Sequence, residues 1–227
     1  MTALHSARSK PAAVLWDMDG TLVDTEPYWM AAESQLVASF GGTWTDEDAV
    51  QLVGSGLWHS ARILQSHGVD LSEDDIIEQM TSRVLEQVGE RVPWRPGSRE
   101  LLQELGDLGI PCALVTMSVR RMALGIVDAL GFDGFAAVVA GDDVTHSKPH
   151  PEPYLLGAAA LGVDPADCVA IEDSAPGIAS AVAAGAVVIG VPLHVPVDAG
   201  TGFDIWDTVE GRTAQHLIDL FRSRRDA

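Results

Sequence analysis

Basic charge is scarce in this chain. Lysine and arginine number 14 against 33 aspartates and glutamates, a formal net charge of −19 over 227 residues. Nucleic acids and anionic membranes are held by basic faces, so neither is expected as a partner. A small anion is also repelled at long range, and any phosphate site must therefore carry its own local positive charge. Cysteine is nearly absent. Cys112 and Cys168 lie far apart, each in an apolar run, with no Cys-x-x-Cys pair and no zinc spacing, which points to buried thiols in a reducing compartment. His59, His67, His146, His150, His194 and His216 show no metal-ligand spacing either, and surface positions are expected for them. Long apolar stretches are missing too. The most apolar region, 177–193, is broken by Ser180, Gly185 and Pro192 and falls short of the ~20 apolar residues of a membrane helix. Residues 1–10 are polar and lack the apolar centre of a secretion signal, so a cytoplasmic location is expected.

What remains is 47% apolar and 21% charged, the composition of a folded globular chain with one sizeable domain, or a core domain carrying an insertion. Its most informative stretch is Val-Leu-Trp-Asp-Met-Asp-Gly-Thr-Leu-Val-Asp at 14–24. An apolar run that reads as a buried strand ends in Asp17, and Asp19 follows beside a turn-forming Gly20. Alternation along an extended chain puts both carboxylates on one side at the strand's carboxyl end. Two acids held together and half buried repel each other and lose hydration, which calls for a cation.

Between 25 and 91 no β-rich run occurs. Helical composition covers 26–40 and stops at Gly41-Gly42, an acidic start at 45–48 leads into Gly54-Ser55-Gly56, and two further helices are expected near 58–67 and 72–88, with Ser72 as N-cap. From Pro96 onward helices alternate with short apolar strands at 112–116, 137–140, 168–172 and 186–190, closing with a helix near 214–222. The expected fold is α/β: a Rossmann-like parallel sheet of at least five strands, helices on both faces, and an inserted α-helical cap. The core domain takes 1–24 and 92–227, and the cap takes 25–91.

In such sheets ligands bind outside the carboxyl ends of the strands. Asp17, Thr116 and Glu172-Asp173 stand at three of those ends, and Lys148 lies in a Ser-Lys-Pro-His-Pro loop ahead of a helix. Each could be a bland cap, strand end or solvated loop residue when taken alone. Together, in this order and context, they resemble the four motifs of the haloacid dehalogenase superfamily, in the cap-bearing branch that includes phosphoglycolate phosphatase and β-phosphoglucomutase. Asp17-Met18-Asp19-Gly20-Thr21, Lys148-Pro149-x-Pro151 and Asp173-Ser174-x-x-Gly177 carry the resemblance.

It implies a magnesium-dependent phosphatase acting on a small phosphorylated metabolite. Asp17 is then the nucleophile and Asp19 the general acid and base. Mg2+ is held by Asp17, the Asp19 carbonyl and Asp173, while Glu172 is a candidate to hold a metal-bound water or orient the site. Lys148, Thr116 and the amides of Met117 and Ser118 meet the phosphoryl oxygens. By the same resemblance, Trp29 and the cap loop with Gly54, Ser55 and Trp58 read the leaving group. β-Phosphoglucomutases carry histidine where this chain has Trp29 and arginine where alignment places Leu57, which places the phosphatase ahead of the mutase. A phosphate-binding protein without turnover is the other alternative, and oligomeric state is not readable.

Overall fold

The structure, a computed structural model, describes residues 9–225; most of the polar opening segment lies outside the described residues. Six strands, β1 (Ala13–Trp16), β2 (Cys112–Val115), β3 (Ala137–Val139), β4 (Cys168–Glu172), β5 (Val187–Gly190) and β6 (Phe203–Ile205), form one parallel sheet in the order β3-β2-β1-β4-β5-β6. β1 lies between β2 and β4, with Leu15 opposite Ala113 on one side and Ala170 on the other.

The strands read as unbroken apolar runs because both faces are covered. Every residue of β1, β2 and β4 is buried. Alternation splits them between two cores. Val14, Trp16, Leu114 and Ile171 face α5 (Ser98–Asp107), α6 (Arg120–Ala129) and α9 (Ala214–Arg225). Leu15, Val115, Ala170 and Val188 face α7 (Glu152–Ala160) and α8 (Ala175–Ala184). The second face is lined with small residues, and α7 approaches through Gly157, where a Cβ would stand 2.8 Å from Val115 Cγ2. Cys112 and Cys168 are both buried, one in each core, so the sheet separates their sulfurs.

The helical insertion between β1 and β2 comprises α1 (Glu26–Ser39), α2 (Asp46–Val50), α3 (Leu57–Ser66) and α4 (Glu73–Glu90). α4 packs against both α1 and α3 through Ile76, Met80 and Val84. Its start is capped by Ser72 Oγ, which accepts from the Asp75 amide at 3.1 Å. Six strands meet the expectation of at least five; the sixth, β6, is a partly exposed edge strand with Asp204 at its centre, so it leaves no apolar run in the sequence. The last helix runs past the expected end near 222 to Arg225 because its final arginines are tied down: Arg224 Nε donates to Asp204 at 2.7 Å and Arg225 Nη1 to the Ala166 carbonyl at 2.9 Å. Among the described residues no helix is long and apolar enough to cross a membrane.

Candidate active site

From β1 the sheet is extended by β2 on one side and by β4 on the other, so the crevice above their carboxyl ends is the switch point of the fold. Asp17 leaves β1 there, Thr116 leaves β2, and Glu172 and Asp173 end β4. The chain turns sharply after Asp17, with the Met18 carbonyl accepting from the Leu22 amide at 2.9 Å. Gly20 sits in this turn at φ +87°, and a Cβ there would stand 2.0 Å from Asp173 Oδ2; only glycine satisfies both conditions. Arg95, 5% exposed, fixes the turn by donating from Nη1 to the Gly20 and Val191 carbonyls.

Lys148 Nζ joins the strand ends. It donates to Asp17 Oδ1 at 2.7 Å, to the Val115 carbonyl at 3.0 Å, and to Glu172 Oε1. The Lys148–Pro149 peptide is cis. Glu172 is fully engaged: Oε1 also accepts from Tyr154 Oη at 2.8 Å, and Oε2 from the Ser174 amide at 3.2 Å and hydroxyl at 3.1 Å. Glu172 therefore orients Lys148 directly. Burial pulls the lysine's pKa down, yet the Asp17 and Glu172 carboxylates raise it further, so the ammonium stays charged.

Asp17 Oδ2 is buried with no hydrogen-bond partner among the described residues. Burial, with the Glu172 charge second, pushes the Asp17 carboxyl up to about 7 although Lys148 opposes it. Burial and the charges of Asp17 and Glu172 hold Asp173 well above the usual carboxylate range. Oxygens of Asp17, Glu172 and Asp173 lie within 4.8 Å of one another. An orphaned carboxylate oxygen in a cluster of hard oxygen donors fits a hard divalent cation, which would return these groups to their charged form.

Asp19 is held differently. Its Oδ1 accepts from Thr25 Oγ1 and from Trp29 Nε1 at 3.2 Å; its Oδ2 accepts from Ser118 Oγ at 2.8 Å and Thr116 Oγ1 at 3.3 Å. The Ser118 amide, expected to face phosphate, donates to Thr116 Oγ1 at 3.0 Å. Met117 lines the site, and its sulfur accepts from the Lys148 amide at 3.4 Å.

Above these groups a cavity of about 70 Å³ separates the sheet rim from the insertion. Asp17, Asp19, Thr116, Met117, Ser118, Lys148 and Asp173 line its floor; Trp29, Gly54 and Ser55 line its roof, with Glu26 and Glu33. Gly54, at φ +74°, closes against Ser174, whose Cβ would be 2.9 Å from a Cβ added there. Trp58 falls outside this group. Its indole donates to Asp74 at 3.0 Å, and it lines an outer groove instead. The histidines hold one surprise, since a turn gathers His146, His150 and Glu152 at the surface. Glu152 is already accepting from the Thr145 and His146 amides, which makes the group a loop brace.

Residues of the site that escaped the sequence reading include Thr25, Glu26, Glu33, Arg95 and Tyr154. Thr25 sits one residue before α1 and Arg95 stands alone between Trp94 and Pro96, a charged residue in an apolar turn that could have been noticed. Tyr154 and Glu33 lie inside helices, where spacing alone says only that they are buried.

Residues 11–185 match the haloacid dehalogenase-like hydrolase family. Hexitol phosphatase B of Escherichia coli (strain K12) is 32% identical over 189 residues, covering 79% of this chain and 83% of that protein. Fructose-1-phosphate phosphatase of the same strain is 33% identical over 184 residues, covering 80% and 97%. Among solved structures, CbbY of Rhodobacter sphaeroides in complex with phosphate superposes with a TM-score of 0.81 at 29% identity, covering 88% of this chain and 95% of that one. With the strand order, the acid-lysine rim and the family match in agreement, the chain belongs to the haloacid dehalogenase-like hydrolases.

Proposed function

We propose that the chain is a magnesium-dependent phosphatase that hydrolyses a small phosphomonoester, of the sugar-phosphate class, through an aspartyl-phosphate on Asp17. The observation that carries this reading is the asymmetry of Asp17: one oxygen is fixed by Lys148 and the other is buried without a partner among the described residues. The names of the relatives at 32% and 33% identity support the substrate class.

In the first step the Asp17 carboxylate attacks phosphorus, and the bond from phosphorus to the ester oxygen breaks as Asp19 gives that oxygen a proton. In the second, water attacks the aspartyl-phosphate, Asp19 takes the water's proton, and inorganic phosphate leaves with the Asp17 carboxylate restored. Lys148 neutralises the equatorial phosphoryl oxygens throughout, and Glu172 keeps its ammonium aimed. Magnesium held by Asp17, Asp173 and the Asp19 carbonyl would supply further charge neutralisation. Residues 25–91 act as a cap over the core of 1–24 and 92–227, and the Gly54 to Ser55 segment seals the cavity from water.

Trp29 weighs against the mutase. An indole N–H donates and cannot accept, so it can orient Asp19 but cannot relay a proton to it. The complete set of Asp17, Asp19, Lys148 and Asp173 weighs against a binding protein without turnover. The test is phosphate release from a panel of phosphorylated metabolites with and without magnesium. Asp17→Asn is expected to abolish it, and full activity in that variant would refute the assignment.

A further inference from the structure

On α1 the spacing of Glu26, Trp29 and Glu33 places them on one face. Trp29 reaches down to Asp19, and Glu33, one turn further along, lines the same cavity while only 3% exposed. Its Oε2 accepts from Trp44 Nε1 at 3.2 Å, and Trp44 is itself packed edge-on against His67 at 4.9 Å. Leu52, Leu57 and Met80 supply apolar wall around it, and Ser55 and Ser60 supply hydroxyls.

A carboxyl in such a place is expensive. A buried polar group needs hydrogen-bond partners, and a buried carboxylate needs them most. Trp44 serves one oxygen. Among the described residues that line the cavity, Lys148 is the sole basic one, and it is committed to Asp17 and Glu172. Packing alone would be met by leucine or glutamine at this position. The cavity wall is therefore rich in acceptors and poor in cations, the reverse of a wall built for an acidic leaving group.

We propose that Glu33 is a specificity-determining residue: its carboxylate accepts hydrogen bonds from hydroxyl or ammonium donors on the leaving group and rejects leaving groups that carry a carboxylate. This inference rests on the phosphatase reading above. The two donor sources share one chemistry and separate in the assay. A site that must pair a buried acceptor discriminates strongly against a leaving group that leaves it unpaired, and like charge adds to the effect.

The experiment measures kcat/KM, with magnesium at pH 8, for p-nitrophenyl phosphate, a hexitol phosphate, phosphoethanolamine and phosphoglycolate. Wild type is expected to prefer the hexitol phosphate or phosphoethanolamine over phosphoglycolate by about 100-fold or more. Glu33→Leu is expected to lower kcat/KM for the preferred substrate, relative to p-nitrophenyl phosphate, by about tenfold or more through KM. Glu33→Gln keeps an acceptor and loses the charge. It is expected to raise phosphoglycolate turnover while retaining the hexitol phosphate, whereas a selective loss of phosphoethanolamine identifies ammonium as the donor. Equal handling of phosphoglycolate and hexitol phosphate by the wild type overturns the inference. So does an equal loss on all substrates in both variants, the mark of a purely structural role. Absence of phosphate release from all four substrates refutes the phosphatase reading itself, and this inference with it.

Discussion

Gly177→Ala sets two physical rules against each other. In a helix interior, replacing glycine by alanine ordinarily stabilises by about 0.5–1 kcal/mol. Gly177 lies in the first turn of α8, where a Cβ would stand 1.8 Å from Glu172 Oε1 and 1.9 Å from its Cδ. Glu172 is fully buried and holds Lys148, Tyr154 and Ser174, so it cannot swing aside and keep its bonds. Breaking a buried ion pair costs about 3–5 kcal/mol. Subtracting the helix gain leaves a net destabilisation of about 2–4 kcal/mol. For a chain of this length each kcal/mol moves Tm by about 2–4 °C, so a fall of roughly 5–15 °C is expected. Lys148 loses its second anchor at the same time, and a misplacement of that kind lowers kcat by about 100-fold. Gly89→Ala is the control. Gly89 is exposed near the end of α4 with open space around its Cβ position, and its Tm is expected to rise by about 1–4 °C. Thermal melts and magnesium-dependent phosphate release on the two variants decide the matter. A Gly177→Ala protein that melts at or above wild type with kcat within about twofold would refute the packing account of Glu172.

Trp29→Phe keeps the ring and removes the donor to Asp19; with three other donors remaining, kcat is expected to fall by about tenfold with KM little changed, and an unchanged kcat removes Trp29 from the positioning of Asp19. Gly54→Ala is expected to raise KM several-fold, because the left-handed φ of +74° and the 2.9 Å approach to Ser174 both oppose closure. Gly41→Ala, at φ +77° with nothing within 4 Å, isolates the backbone strain, and an equal rise in KM there would refute the closure argument. Glu33 makes stability depend on pH. Burial pushes its carboxyl up to about 7 from 4.5, with the Trp44 indole opposing, so the folded state binds the extra proton and stability is lost as pH rises from about 4.5 through 7. At about 1.36 kcal/mol per unit the loss is about 3 kcal/mol. Glu26 beside it, pushed up to about 8 by burial and the charges of Asp19 and Glu33, adds to the slope. Denaturant melts between pH 5 and 8 are expected to flatten in Glu33→Gln, and an unchanged profile refutes the shift.

The sheet and its rim were legible because burial on both faces writes itself as apolar runs, and a charged residue at the end of such a run has few structural reasons to be there. Asp17 and Asp173 follow this logic, the polar Thr116 ends β2 in the same way, and Lys148 joins them through the loop ahead of α7. The roof was far less legible. α1 buries Trp29, Ala32, Glu33, Leu36 and Val37, so a carboxylate sits on the stripe that periodicity assigns to the core. Its partner Trp44 lies beyond the helix end, and no spacing rule connects the two. Trp58 misled for the converse reason: proximity in sequence to Gly54 suggested the cavity, while the direction of α3 turns the indole outward to Asp74.

Charge explains how these parts depend on one another. Asp17, Asp19, Glu172 and Asp173 crowd the rim against one ammonium, Lys148, and one guanidinium, Arg95, whose donors go to backbone carbonyls. A phosphate dianion meets net repulsion there, on top of the −19 of the whole chain. Lys148 alone cannot reverse that sign, since its charge is already shared between Asp17 and Glu172. The acids therefore have to be offset before the substrate arrives, and the raised pKa values of Asp17 and Asp173 are the measure of how far they are from that condition on their own. Fixing Glu172 with Tyr154 and Ser174 removes one acid from the competition. What is left facing the cavity is Asp17, whose Oδ2 has no partner among the described residues, Asp19 with its four donors, and Asp173 beside them, the acids on which the proposed chemistry rests.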